Sequence, residues 1–170
     1  MRNKTLWIVR TAVLLALLIV LQAATKAGGQ FITGSCVNAV LAVAVMISGL
    51  WSGITVALLS PFFAYLLGIG PQLIHIVPAI ALGNLTYVVL LHFLCKGKVV
   101  QQCLGWVISA AAKCSVLYLL VAVLLCNVLP LKPPQIAMFQ AMFSWPQLVT
   151  ALSGGGIAIL LVPTVKKPIK

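Results

Sequence analysis

From Gly34 to Pro71 the chain, GSCVNAVLAVAVMISGLWSGITVALLSPFFAYLLGIGP, carries no charged side chain. A bilayer core of about 30 Å needs about 20 apolar residues in a helix, so this run is too long for one crossing. Turn chemistry stands halfway along it at SGLWSG, Ser48 to Gly53. The run therefore reads as two short spans, about 34–50 and 51–67, folded as a tight hairpin. Gly-, Pro- and polar-rich pieces flank it, TKAGGQFITG (Thr25 to Gly34) before and GIGPQ (Gly68 to Gln72) after. A hairpin returns both pieces to the same side of a membrane, where irregular backbone survives only if something satisfies its polar groups. Two such segments over one mouth of a helical bundle are placed to close a pocket.

The chain has 170 residues, 63% of them hydrophobic, with 11 Lys or Arg and no Asp or Glu. That composition excludes a water-soluble domain and points to an integral membrane protein. A basic nucleic-acid binder would gather its charges on one polar face; here they stand between apolar runs, so no nucleic acid is expected as partner. The missing carboxylates exclude carboxylate acid–base catalysis, Asp/Glu cages for Mg²⁺ or Ca²⁺ and Asp/Glu proton relays. Five cysteines contain no C-x-x-C pair and read as small apolar fillers. Neither a metal nor a cofactor is expected.

Thr5 to Ala24 is apolar apart from Arg10 and Thr11 and follows a basic start at Arg2 and Lys4. Ala12 to Leu21 has the length of a signal-peptide core with small residues behind it. The alternative, an uncleaved first span over about 5–24, is the expectation, because cleavage would remove Ala12 and Ala16. These form Ala12-x-x-x-Ala16, small residues one turn apart that let another helix approach closely. Later spans are expected at about 74–94, entered through Pro71, at 104–128 and at 144–162. Pro130, Pro133 and Pro134 forbid helix between the last two. Pro146 either kinks one long helix or stands just inside a new one that Ser144 caps, preceded by a short interfacial helix; the second is the expectation. The result is an all-α membrane protein, a single six-helix transmembrane domain over 1–170. With an inward N-terminus, Arg2, Lys4, Arg10, Lys96, Lys98, Lys166, Lys167 and Lys170 fall inside, and only Lys26 and Lys132 outside. That asymmetry puts both termini in the cytoplasm.

A basic start running into TAVLLALLIVLQ, a Gly-rich outer loop, a short uncharged hairpin, a Pro-opened fourth helix and a basic tail together resemble the S component of energy-coupling factor (ECF) transporters. The likeness covers nearly the whole chain. It implies the substrate-binding subunit of an ABC-type importer in a bacterial plasma membrane. Such a subunit captures a vitamin or similar micronutrient on the outer half of helices four to six, under the loop joining helices one and two. A T component and two ATPase subunits complete the machine, and the resemblance assigns Ala12 and Ala16 to the T-component contact. No pocket residue transfers by motif. Members that bind cations commonly use a carboxylate, which this chain lacks, so the expected ligand is neutral or anionic.

The expected substrate contacts are Gln30, in that outer loop, and Asn84, Tyr87, Lys113, Trp145 and Gln147. Lys113 has two readings. It lies nine residues, roughly 13 Å, in from Leu104, near the limit at which its stem can snorkel to the inner surface; otherwise it faces the interior and meets a ligand. Asn84 and Tyr87 share one face of span four, where either ligand contact or interhelical hydrogen bonding accounts for them. Gln140, Ser144 and Gln147 follow i, i+4, i+7, a polar stripe beside Trp145 that is either a ligand contact or an interfacial face in the aromatic belt. His75, His92 and Asn127 lie near span ends and read as solvated. Gly154-Gly155-Gly156 lacks the Lys-Ser/Thr of a phosphate loop and sits in an apolar span, which suits close helix packing. The chain reads as a capture protein and not an enzyme, its rivals being a membrane enzyme using His75 or His92 and a structural or pore-forming subunit.

Overall fold

Gly49 is the residue at which the uncharged run turns. In a computed structural model, which describes residues 2–166, it adopts φ +88°, a left-handed conformation that glycine reaches without a Cβ penalty. Before it stand α1 (Arg2–Thr25), a 3₁₀ turn (Lys26–Gly28) and α2 (Gly29–Ser48); after it come α3 (Leu50–Leu66) and α4 (Ile76–Leu94). Then α5 (Val99–Leu117) continues through a π-helical stretch (Tyr118–Leu125) into α6 (Cys126–Val128), followed by α7 (Pro133–Met142) and α8 (Trp145–Lys166). No strand occurs among the described residues. Lys167 and Lys170 of the basic tail, and the side chains of Arg2 and Lys166, lie outside the described residues.

The tight hairpin is present, but three expectations need correction. Irregular chain was expected over Thr25 to Gly34, whereas α2 already begins at Gly29. The reversal needs only Lys26–Gly28 because side chains seal it: Thr33 Oγ1 donates to the Thr25 carbonyl at 2.8 Å, and Thr25 Oγ1 to the Leu21 carbonyl at 2.6 Å. Pro133 and Pro134 do not forbid helix. They open α7, at positions where a missing N–H costs nothing. Lastly, α7 and α8 are separate helices as expected, but Ser144 Oγ donates back to the Ala141 carbonyl at 2.9 Å, so it closes α7 instead of capping α8. Pro146 is the second residue of α8, again where no donor is required.

The helix α2 is central: it packs on α1, α3 and α4, and most extensively on α8. Glycine makes the α2–α8 approach possible. A Cβ on Gly154 would stand 2.6 Å from the Ala39 amide nitrogen, and one on Gly155 would collide with the Trp106 indole and the Tyr87 hydroxyl. Apolar helices in lipid gain little from water exclusion and associate through such close packing. Outward faces carry large apolar side chains, Leu160 at 77% exposure and Trp51 at 72% among them. Four helical stretches, Lys4–Ser48, Ile76–Leu94, Val99–Val128 and Pro133–Val165, are long and apolar enough to cross a bilayer, and Leu50–Leu66 is a shorter apolar helix.

Gly154→Val is therefore expected to separate α8 from α2 and to destabilise the fold by about 1–3 kcal/mol or more. Gly156→Ala, whose Cβ would meet Trp106 at 3.3 Å, should cost much less. Thermal melting of the two variants in detergent checks the difference.

Candidate functional site

The 3₁₀ turn and the segment after α3 come together at one end of the bundle. Lys26 Nζ lies 3.9 Å from the place a Cβ on Gly68 would occupy. Beneath them is a cavity of about 240 Å³. The 3₁₀ turn and the irregular segment after α3 thus stand over one mouth, on the same side as the hairpin geometry anticipated. Lys26, Gly70 and Pro71 border that mouth; Val37, Val77, Ile80, Leu117 and Phe143 supply apolar wall; and Gln22, Gln30, Asn38, Ser60, Asn84, Lys113 and Gln147 supply the polar groups.

Lys113 organises the polar groups. It is 3% exposed, and its Nζ donates to Asn38 Oδ1 at 2.6 Å and to Asn84 Oδ1 at 2.7 Å. It also lies 5.4 Å from the centre of the Tyr87 ring, within reach of a cation–π attraction. Asn38 Nδ2 donates in turn to Thr150 Oγ1 at 3.3 Å. One side chain from α5 is thereby tied to α2 and α4 directly, and to α8 at one remove. A Lys at the centre of a spanning helix costs about 2.5–3.5 kcal/mol on insertion scales unless it finds partners. Here two amide oxygens meet it, and it does not snorkel.

The expected site residues divide. Gln30, Asn84, Lys113 and Gln147 all line the cavity. Gln30 Nε2 and Gln147 Nε2 both donate to the Met142 carbonyl, at 2.6 and 3.1 Å, which fixes the start of α2 to the α7–α8 joint. Tyr87 is fully buried behind the cavity, its hydroxyl donating to the Ala151 carbonyl at 3.0 Å. It supports Lys113 and has no face on the open space. Trp145 is 64% exposed and packs on Phe31 with ring centres 5.6 Å apart. Two residues along a helix is about 200° of rotation, so Trp145 points away when Gln147 points in. The polar stripe is not continuous either: Gln140 is exposed on α7, and the break before α8 ends its helical spacing with Gln147.

Sequence reasoning overlooked Asn38, Gln22 and Ser60. Asn38 was visible as the lone amide within the uncharged run. Gln22 and Ser60 are buried, and the Gln22 Oε1 and Ser60 Oγ atoms have no hydrogen-bond partner among the described residues. Native structures rarely leave buried polar atoms so, and both atoms are enclosed by the protein.

The opposite end of the bundle is different in character. A second cavity there is lined by Gly49, His92, Cys95, Lys96 and Pro163 among others. Arg10 lies beside Ile47 and Ser48 at this end as well. Cys95 Sγ donates to the Gln102 carbonyl at 3.3 Å; burial, and secondarily the nearby Cys103, push its thiol up to about 11. It is a protonated filler at neutral pH, not a nucleophile. Among the described residues no group of three His or Cys side chains is placed to hold a metal.

A family model described as ECF transporter, substrate-specific component, matches residues 7–166. No curated protein and no solved structure matches the chain.

Removing one amide from the Lys113 cluster leaves a buried cation under-satisfied, so Asn38→Ala is expected to lower stability by about 1–3 kcal/mol. In Asn38→Ala with Lys113→Met, the combined loss should be smaller than the sum of the single losses. A double-mutant cycle by thermal melting measures this, and strictly additive losses would show that the two side chains are not coupled.

Proposed function

The chain belongs to the family of ECF transporter substrate-specific components, and from that premise we propose that it captures a small neutral or anionic micronutrient, of the vitamin class, in the cavity beneath Lys26 and Gly70. The observation that carries this reading is the cavity itself: apolar walls around a few convergent, buried polar groups, with irregular segments over its mouth. The proposed contacts are Gln30, Asn84, Lys113 and Gln147, joined by Asn38, Gln22 and Ser60. Tyr87 positions Lys113. The family is one of transport components, not of enzymes.

In this reading the chain crosses a bacterial plasma membrane six times as one domain, through α1, α2, α3, α4, α5 with its continuation, and α8. Lys26 borders the cavity mouth, whereas Arg10 and Lys96 lie at the other end. That asymmetry supports an outward-facing cavity with both termini in the cytoplasm. Capture alone moves nothing uphill. Energy would come from a T component and two ATPase subunits, and the T component would dock on α1, where Ala12 and Ala16 are exposed beside Val9, Val13 and Val20. A shallow groove of small residues serves close approach by another helix, and among the described residues Ala12 and Ala16 are left exposed.

A thermal-shift screen of water-soluble vitamins on the purified protein tests capture, since a ligand that binds only the folded state raises its melting temperature. Gln147→Ala is expected to weaken the stabilising ligand about tenfold, as for loss of one good hydrogen bond, and Trp145→Ala to leave its affinity unchanged. Ala12→Leu with Ala16→Leu should keep stability and ligand binding but abolish co-purification with the T component and uptake. Normal uptake by that double variant would remove α1 from the docking surface.

A further inference from the structure

We infer that the cavity takes an amphipathic carboxylate: a small molecule with one anionic group for Lys113 and an apolar body. This rests on the capture reading above and narrows it to a ligand class.

The anionic end follows from charge. The Lys113 ammonium has three donors; among the described residues it has two acceptors, both neutral amide oxygens. No side chain can neutralise it, because the chain contains no Asp or Glu. An anion entering this site gains a charge-assisted hydrogen bond for which no carboxylate side chain of the protein competes. Lys26 at the mouth has the same sign and draws an anion inward. A cationic ligand would meet two ammonium groups and no carboxylate.

The apolar body follows from the walls. Val37, Ile80, Leu117 and Phe143 line the same space and suit an apolar body. The volume of about 240 Å³ falls below the roughly 300–1,000 Å³ of pockets for drug-sized molecules, which limits that body to a small one.

The test uses the full-length chain. Native mass spectrometry of protein purified from its own membranes identifies a retained molecule, and thermal shifts compare free acids with their neutral counterparts: nicotinate with nicotinamide, pantothenate with panthenol, biotin with its amide, and any retained acid with its own amide. The expected result is a bound acid that outperforms its neutral counterpart by about tenfold to a hundredfold in affinity. In Lys113→Met that preference should vanish. Should Lys113→Met fail to fold, the acid–amide comparison on the unaltered chain still decides. A bound molecule without an anionic group, or equal binding of acid and amide, would overturn the carboxylate and leave capture standing. A chain that retains no small molecule and is stabilised by none would overturn capture itself, and the carboxylate with it.

Discussion

The hydrogen bonds from Lys113 to Asn38 and Asn84 are the interaction on which the rest of the bundle depends. In water a bundle of this size would be held by apolar burial. In lipid that drive is absent, and interdigitating Leu, Val and Ile faces specify neighbours weakly. A buried amine is more demanding, because its acceptors must arrive from particular helices at particular heights. Lys113 brings α5, α2 and α4 to one point, and Asn38 extends the connection to Thr150 on α8. A sliding of any of these helices by one turn would strand a polar group in a medium that offers it no other partner.

Below that point the helices close, and above it they part. Gly154 and Gly155 bring α8 against α2, Trp106 and Tyr87, so the layer beneath the cluster is filled. On the other side, Gln22 of α1, Ser60 of α3 and Phe143 at the α7–α8 joint border a cavity that the Lys26 turn and the Gly70 segment cover. Cavity and close contact are consequences of one arrangement: small residues at one level and longer polar ones at the next. The Met142 carbonyl, which accepts from both Gln30 and Gln147, then holds the joint between α7 and α8 over the side of the opening.

What the sequence reveals is set by what is local. The hairpin was legible because a Ser-Gly-rich hexapeptide in an uncharged run can do little else, and the division before Pro146 because proline belongs in the first turn of a helix. Close packing at Gly154 was legible for the same reason. The start of α2 was not, since the bonds that let helix resume at Gly29 come from Thr25 and Thr33 across a turn. Nor could periodicity place Trp145 and Gln147 relative to a cavity without knowing where α8 begins. Asn84 and Lys113 stood out as polar groups at similar depth in neighbouring spans. Asn38, their common neighbour, was overlooked, and its role appears only when α2 is set beside α5. Depth along a helix is written in the sequence, but which helix lies across from it is not.

The choice of amides as partners for Lys113 has a further consequence. A carboxylate at Asn38 or Asn84 would fix the amine as well and would also cancel its charge, leaving nothing for a ligand to meet. Amide oxygens satisfy direction without neutralising. Asn38 also carries an NH₂, which donates to Thr150 Oγ1, so its oxygen is held toward Nζ by geometry on its far side. The amine is thus oriented before anything binds, and a ligand need not reorganise the site to use it. An arrangement that is costly as pure structure is suited to recognition: its remaining demand is a charge of the opposite sign, and the chain has no side chain that supplies one.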